Sequence, residues 1–232
     1  MTSLSVVLPA YNEAENISEM VSSVMKTVKP LTDDYEIIVV DDGSRDGTAE
    51  VVRGLSAEWP QVRLLGHEVN RGYGAALYSG LRAATKDLIF FTDADRQFEL
   101  ADLHKFWPEI EGVDMVIGYR PERADPFHRR LFGWGWSWLT NLLFGYTARD
   151  VDCAFKLFRR EIMDNIDVRS MGATFSAEFL VRAKARGYTI RELPVRHLPR
   201  TAGSQTGSRL DVILRAFREL LAFRIEMWRK KS

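Results

Sequence analysis

A doubly wound, mostly parallel α/β sheet flanked by helices is the fold class that this sequence predicts, on three observations. Two apolar runs end directly in aspartates, Ile37-Ile38-Val39-Val40-Asp41-Asp42-Gly43 and Ile89-Phe90-Phe91-Thr92-Asp93-Ala94-Asp95. Runs of that length, rich in β-branched and aromatic residues, read as parallel strands buried on both faces. Such runs alternate with helical periodicity from Leu4 to Ile117, the pattern that right-handed crossovers turn into a parallel sheet. No Gly/Ser/Pro-rich linker, internal repeat or low-complexity tract interrupts it, and 232 residues at 46% hydrophobic can bury one large core.

The elements follow in order. Leu4–Leu8 is a short apolar strand. Ile17, Met20, Val21, Val24, Met25 and Val28 then recur at helical spacing, so Asn16–Val28 is an amphipathic helix. Tyr35–Val40 is a strand, Ala49–Leu55 a helix and Val62–Leu65 a third strand. Gly74–Ala84 is a helix of small residues, able to approach the sheet closely. Leu88–Thr92, a helix at Leu100–Ile110 and a fifth strand at Val113–Ile117 complete the alternation. The predicted organisation is a domain over residues 1–207 followed by a basic amphipathic helix over 208–232. In that helix Leu210, Ile213, Leu214, Phe217, Leu220 and Leu221 share a face among Arg209, Arg215, Arg218, Arg224, Arg229, Lys230 and Lys231.

Several function classes fall away. Lys+Arg and Asp+Glu both number 32, so overall charge gives no reason to expect nucleic acid. One cysteine, Cys153, excludes an internal disulfide framework and a cysteine-based zinc site. His67, His104, His128 and His197 have no metal-ligand spacing and read as surface or packing residues. The start lacks a basic n-region, which predicts a cytosolic protein. A dinucleotide site would need Gly-x-Gly-x-x-Gly in the first strand–helix turn, where this chain has Pro9-Ala10-Tyr11-Asn12-Glu13. The phosphate loop of P-loop enzymes is absent too.

What remains is acidic. Ligands of open α/β sheets sit at the carboxyl ends of the strands, where Asp41-Asp42 and Asp93-Ala94-Asp95 are delivered. Asp93 and Asp95 at i and i+2, with Gln97 at i+4, offer oxygens to a hard divalent cation, Mg²⁺ or Mn²⁺, which keeps positions for phosphate and water. Taken singly, each cluster also reads as a polar turn closing a strand.

Four motifs occur in order: Pro9-Ala10-Tyr11-Asn12-Glu13-Ala14-Glu15-Asn16-Ile17, Val40-Asp41-Asp42-Gly43-Ser44-Arg45-Asp46-Gly47-Thr48, Asn70-Arg71-Gly72-Tyr73-Gly74 and Asp93-Ala94-Asp95-Arg96-Gln97. In this order they resemble the family 2 inverting glycosyltransferases of GT-A fold, and most of all the dolichol-phosphate and polyprenol-phosphate mannose and glucose synthases. The resemblance implies that Pro9, Tyr11 and Glu13 hold the base and ribose of a nucleotide-sugar, opposite Val40 and Asp42. It implies that Asp93, Ala94 and Asp95 run along ribose and diphosphate, that Asp93, Asp95 and Gln97 take the metal, and that Arg120 and Arg200 grip phosphate. Three positions depart from the pattern: Arg96 where relatives have Gly, Phe98 in place of a His, and Gln205-Thr206 where a Lys follows Gly203-Ser204.

The acceptor is read from the nucleophile it needs. A sugar hydroxyl requires a carboxylate base. Glu178, the carboxylate in the region where hydroxyl-using relatives carry theirs, is the candidate for that catalytic role. A lipid phosphate, with a second pKa of about 6, arrives ionised and needs cations instead. Arg129 and Arg130 supply them, so transfer to a polyprenyl phosphate is the favoured reading. Transfer to a sugar hydroxyl, and a non-catalytic sugar-nucleotide-binding protein, are the alternatives. Leu131–Ala148 is uncharged and carries Trp134, Trp136 and Trp138, but falls short of the ~20 apolar residues of a spanning helix. It suits a membrane interface or a buried core helix. With the basic C-terminal helix it predicts a peripheral protein on the cytoplasmic membrane face, where a second copy or a membrane protein could be a further partner.

Overall fold

The structure, a computed structural model, describes residues 2–199 and 210–229. Seven strands form one sheet, in the order β3-β2-β1-β4-β6-β5-β7. The strands are β1 (Leu4–Ala10), β2 (Tyr35–Asp41), β3 (Val62–Gly66), β4 (Leu88–Thr92), β5 (Met115–Tyr119), β6 (Phe155–Arg159) and β7 (Ile190–Pro194). The helices are α1 (Ala14–Val28), α2 (Thr48–Glu58), α3 (Tyr73–Ala83), α4 (Leu103–Phe106), α5 (Phe127–Phe144), α6 (Glu161–Asn165), α7 (Phe175–Ala185) and α8 (Leu210–Arg229). Every pairing is parallel except those of β6, which runs antiparallel to β4 and to β5. The predicted fold class is thus the observed one.

Burial explains the central strands. All residues of β1 and β4, and all of β2 but its first, are buried, because helices cover both faces. Helix α1 buries Ile17, Met20, Val21, Val24 and Val28 of the predicted stripe, and Met25 is partly buried against the core. Helix α3 lies so close that a Cβ on Gly80 would come 2.4 Å from a Val7 methyl and 2.7 Å from one of Val40. Its small residues are what allow that approach.

Two strands, β6 and β7, are not evident from periodicity. In β6, Phe155-Lys156-Leu157-Phe158-Arg159, the two cations mask a buried run. Lys156 is wholly buried. Strand β7, Ile190-Arg191-Glu192-Leu193-Pro194, is an edge strand with the charges and proline typical of one. The fifth strand begins two residues later than expected. The expected helix at Leu100–Ile110 is instead a short α-turn between two 3₁₀ segments, with Pro108 opening the second.

Near the C-terminus, α8 buries Ala216, Leu220 and Phe223. Trp136 meets Phe217 at 5.7 Å and Phe144 stacks on Phe223 at 5.0 Å, joining α5 to α8. Among the described residues no helix is long and apolar enough to cross a membrane.

Candidate active site

The strand order reverses at β1, whose successors lie on one side and β4 on the other. A crevice therefore opens at the carboxyl ends of β1 and β4, the switch point where open α/β sheets bind ligands. The parallel register that puts Pro9 opposite Val40 and Ala10 opposite Asp41 carries the loops after β1 and β2 to that edge together.

Those two loops interlock. Asn12, in the left-handed region at φ 55°, receives the Arg45 N–H on its side-chain oxygen at 2.9 Å, and its own N–H donates to Ser44 Oγ at 2.9 Å. Ala14 N–H reaches Asp46 at 3.0 Å and Glu13 N–H reaches Thr48 Oγ1 at 2.9 Å. Glu13 is buried and accepts from Asn16 Nδ2 at 2.6 Å. Tyr11 is half-buried at the rim. Val40 is wholly buried, so only its main chain could meet a ligand.

Asp42 turns to the neighbouring loop. One carboxylate oxygen accepts Arg71 N–H at 2.9 Å and lies 2.7 Å from His67 Nδ1; the other accepts Gly72 N–H at 2.8 Å. Gly43, at φ 71°, has no room for a Cβ, which would sit 2.6 Å from Asn70 N. His67, expected as a packing or surface residue, is instead a buried partner of a predicted site residue.

At the end of β4, Asp93 directs one carboxylate oxygen into a buried position without a hydrogen-bond partner among the described residues. Burial, together with the adjacent Asp95 charge, pushes its pKa up to about 7. The Tyr73 hydroxyl lies against it, and Arg120 and Lys156 act in the opposite sense. Asp95 accepts Gln97 N–H at 3.1 Å, while Gln97 Nε2 donates to Leu198 O at 3.3 Å. The Gln97 oxygen is therefore the atom left for a cation. Arg96, at φ 62°, pairs with Glu19 on α1. The cation that departs from the family pattern is thus drawn to a surface carboxylate.

The antiparallel β6 matters here. It sets Lys156 opposite Phe91 and Phe155 opposite Thr92, so the turn preceding β6 arrives beside Asp93. Lys156 Nζ donates to Val151 O at 3.2 Å and to Cys153 O, bracing that turn from beneath. Arg120, just after β5, meets Asp150 through two hydrogen bonds at 2.7 and 2.8 Å. Burial acts to raise Asp150, but Arg120 holds it below the usual carboxylate range. Asp152 is pushed up to about 6 by burial and by Asp150. A phosphate would share Arg120 with Asp150. The Arg120–Asp150 pair has no signature in the sequence, because thirty residues separate its members, and the Lys156 bonds have none because their acceptors are main-chain carbonyls.

Glu178 belongs to another group. Its oxygens accept Arg169 N–H at 3.1 Å, Ser170 N–H at 2.8 Å and Arg182 Nε at 2.6 Å. It holds a loop whose Met171 O accepts Ala75 N–H at 3.0 Å. The partners of Glu178 are thus Arg169, Ser170 and Arg182. Arg130 is exposed near the start of α5. The Arg129 side chain and all of Arg200 lie outside the described residues, as do Gly203–Thr206.

The donor set fits a hard divalent cation. A buried carboxylate oxygen that has no partner among the described residues, next to a second carboxylate, is a charge arrangement that a cation completes. Among the described residues no three His, Cys, Asp or Glu side chains form a protein-only cage. Two carboxylates and an amide leave positions for substrate phosphates, as Mg²⁺ sites do.

Comparison with known proteins bears on family and fold. The family model described as Glycosyl transferase family 2 matches residues 5–167. A dolichyl-phosphate beta-glucosyltransferase of Trichomonas vaginalis is 31% identical over 210 residues, covering 82% of this chain and 62% of its own. Glycosyltransferase AglD of Haloferax volcanii is 33% identical over 202 residues, covering 83% of this chain and 32% of its own. The chain thus spans less than two thirds of these relatives. Mannosyl-3-phosphoglycerate synthase from Rubrobacter xylanophilus superposes with a TM-score of 0.75 at 20% identity, covering 99% of this chain and 75% of that one. Glucosyl-3-phosphoglycerate synthase from Mycobacterium tuberculosis, solved with Mn²⁺, UDP and glucosyl-3-phosphoglycerate, gives 0.69 at 21%, covering 96% and 80%. At such identities the likeness is one of fold.

Proposed function

The chain belongs to glycosyl transferase family 2, and on that premise we propose that it moves a hexose, with inversion, from a nucleotide-sugar to a polyprenyl or dolichyl phosphate at a membrane surface. The observation that carries the reading is the Asp93 oxygen, buried and without a hydrogen-bond partner among the described residues, beside Asp95 at the switch point of the sheet. The names of relatives such as the dolichyl-phosphate beta-glucosyltransferase support the acceptor class.

In this reading Pro9, Tyr11, Glu13, Val40 and Asp42 line the nucleoside end, and Ala94 follows the diphosphate. Mg²⁺ or Mn²⁺ would be held by Asp93, Asp95 and Gln97, and when bound it offsets negative charge on the departing nucleoside diphosphate. The bond from the anomeric carbon to the diphosphate oxygen breaks, and its electron pair leaves with the diphosphate. An oxygen of the acceptor phosphate forms the new bond on the opposite face. That oxygen is already ionised, so no protein base is needed. This agrees with Glu178 being held among Arg169, Ser170 and Arg182. Arg120 and Arg200 serve the donor phosphates, and Arg129 and Arg130 the acceptor.

Membrane contact has its own support. Phe127, Leu131, Phe132, Trp134, Trp138 and Leu142 of α5 are exposed, as are Phe217, Leu221, Ile225 and Trp228 of α8. So much apolar surface on one packed helix pair, near the exposed Arg130, Arg218 and Arg224, suits the headgroup layer on a cytoplasmic face.

The test is radiolabelled transfer from UDP-glucose and GDP-mannose, with Mn²⁺ or EDTA, into polyprenyl phosphate or free polyprenol. Product should form only with the phosphate and only with the metal. Efficient labelling of a sugar hydroxyl instead, or transfer indifferent to EDTA, would overturn the reading.

A further inference from the structure

We infer that His67 is a positioning residue of the donor site: held by Ser79, it locks the Asp42 carboxylate onto the loop that opens α3 beside Asp93. His67 directly follows β3, and its main-chain N–H donates to Asp41 O at 2.9 Å, which carries the sheet pattern one residue further. Its side chain is only 7% exposed. Nδ1 lies 2.7 Å from Asp42 Oδ1 and Nε2 lies 3.0 Å from Ser79 Oγ. A carboxylate offers acceptors alone, so Nδ1 carries the proton, while Nε2 accepts from the Ser79 hydroxyl in the neutral ring and donates to it in the charged one. In both forms one ring orientation satisfies both ends.

The relay ends on a carboxylate with further donors. The Arg71 N–H shares the oxygen that His67 meets, and the Gly72 N–H takes the other. Three donors fix the plane of Asp42, and Asp42 in turn fixes two successive peptide groups. Gly72, at φ 97°, is the last residue before α3, and Tyr73, with its hydroxyl against Asp93, is the first. The orientation of His67 thus reaches the acidic centre through adjacent residues of one loop. Without the ring, Asp42 could rotate and release a peptide group.

The order Ser79, His67, Asp42 resembles a hydrolytic relay, but Ser79 lies within α3, where main-chain N–H groups are used by the helix. No oxyanion hole forms there. The relay transmits orientation, and its product is a preorganised loop.

This inference rests on the donor-site reading, so two readouts are taken on the full chain. One is calorimetric binding of UDP and of GDP with Mn²⁺; the other is hydrogen exchange of a peptide covering Asn70–Gly74. His67→Leu removes both hydrogen bonds, whereas His67→Asn restores a donor where Nδ1 stood. In His67→Leu, exchange should quicken and nucleotide affinity should fall about tenfold, as when one partner of a buried hydrogen bond is lost. His67→Asn should recover most of both. Wild-type exchange and affinity in His67→Leu, or equal losses in the Leu and Asn variants, would overturn the inference. If His67→Leu does not fold, Ser79→Ala decides: faster exchange supports the relay and unchanged exchange refutes it. A wild type that binds neither nucleotide defeats the donor-site reading, and exchange alone then judges the latch.

Discussion

Asp93 faces two cations that are already engaged, Arg120 by Asp150 and Lys156 by the carbonyls of Val151 and Cys153. Burial, and after it the Asp95 charge, raises the Asp93 pKa, and these engaged cations offset that only in part. A cation that binds only the folded chain stabilises it by mass action. Mn²⁺ should raise the melting temperature of the wild type and leave that of Asp93→Asn unchanged, while Asp95→Ala should abolish transfer. Identical thermal responses in wild type and Asp93→Asn would count against the site. His197 gives a pH prediction. Burial, aided by Arg120, lowers its pKa to about 4, and its Nδ1 accepts Ala124 N–H at 3.2 Å. A histidine depressed in the folded state stabilises above its unfolded value of about 6.5 and loses that contribution as pH falls through the folded value. His197→Gln accepts without titrating, so thermal melts between pH 6.5 and 4 should decline less steeply than in wild type; equal slopes would exclude this origin. The candidate residues Asp93, Ala94, Asp95 and Gln97 were legible in the sequence because one loop carries them. The Arg120–Asp150 pair and His67 were not, because each partner comes from a separate element.

Among the elements, α5 and α8 carry most of the exposed apolar surface. The sequence left α5 open to two readings, interfacial helix or packed helix, and the structure combines them in both helices: each has a packed face and an exposed one. Helix α8 buries Ala216, Leu220 and Phe223, and its Glu219 and Glu226 reach Thr174 at 2.9 Å and Arg182 at 3.2 Å. Deleting it would open the interior beneath, so removal is a poor test of membrane contact. Changing only the outward residues is cleaner. Trp134→Ser, Trp138→Ser, Ile225→Ser and Trp228→Ser together should reduce partitioning to anionic liposomes with little change in melting temperature, since these side chains are half or more exposed. Undiminished partitioning would assign the face to protein contacts. Helix α3 makes the opposite case. Its composition of small residues announced close packing, and the structure realises it through Gly80.

For the whole molecule, the order of the strands decides where chemistry can occur. The reversal at β1 brings the ends of β1, β2 and β4 to one edge, and the antiparallel β6 returns the Asp150–Cys153 turn to the same place. Gly80 presses α3 onto the middle of that arrangement, so Gly80→Ala should cost about 1–3 kcal/mol of stability through overpacking. Urea unfolding measures it; an unchanged midpoint would mean that α3 can shift without penalty. The sequence by itself determined the strand–helix alternation, the buried stripe of α1 and the acidic loops, because periodicity and short spacing are local properties that burial on one face or both imposes directly. Tertiary structure alone decided that β6 enters the sheet antiparallel with a buried lysine. It also decided which carboxylates act as braces and which keep an oxygen without a partner. Asp42 and Asp150 are held by donors that the chain returns from 25 to 30 residues away, whereas one Asp93 oxygen has no partner among the described residues, and such pairing depends on the path of the chain rather than on a local pattern.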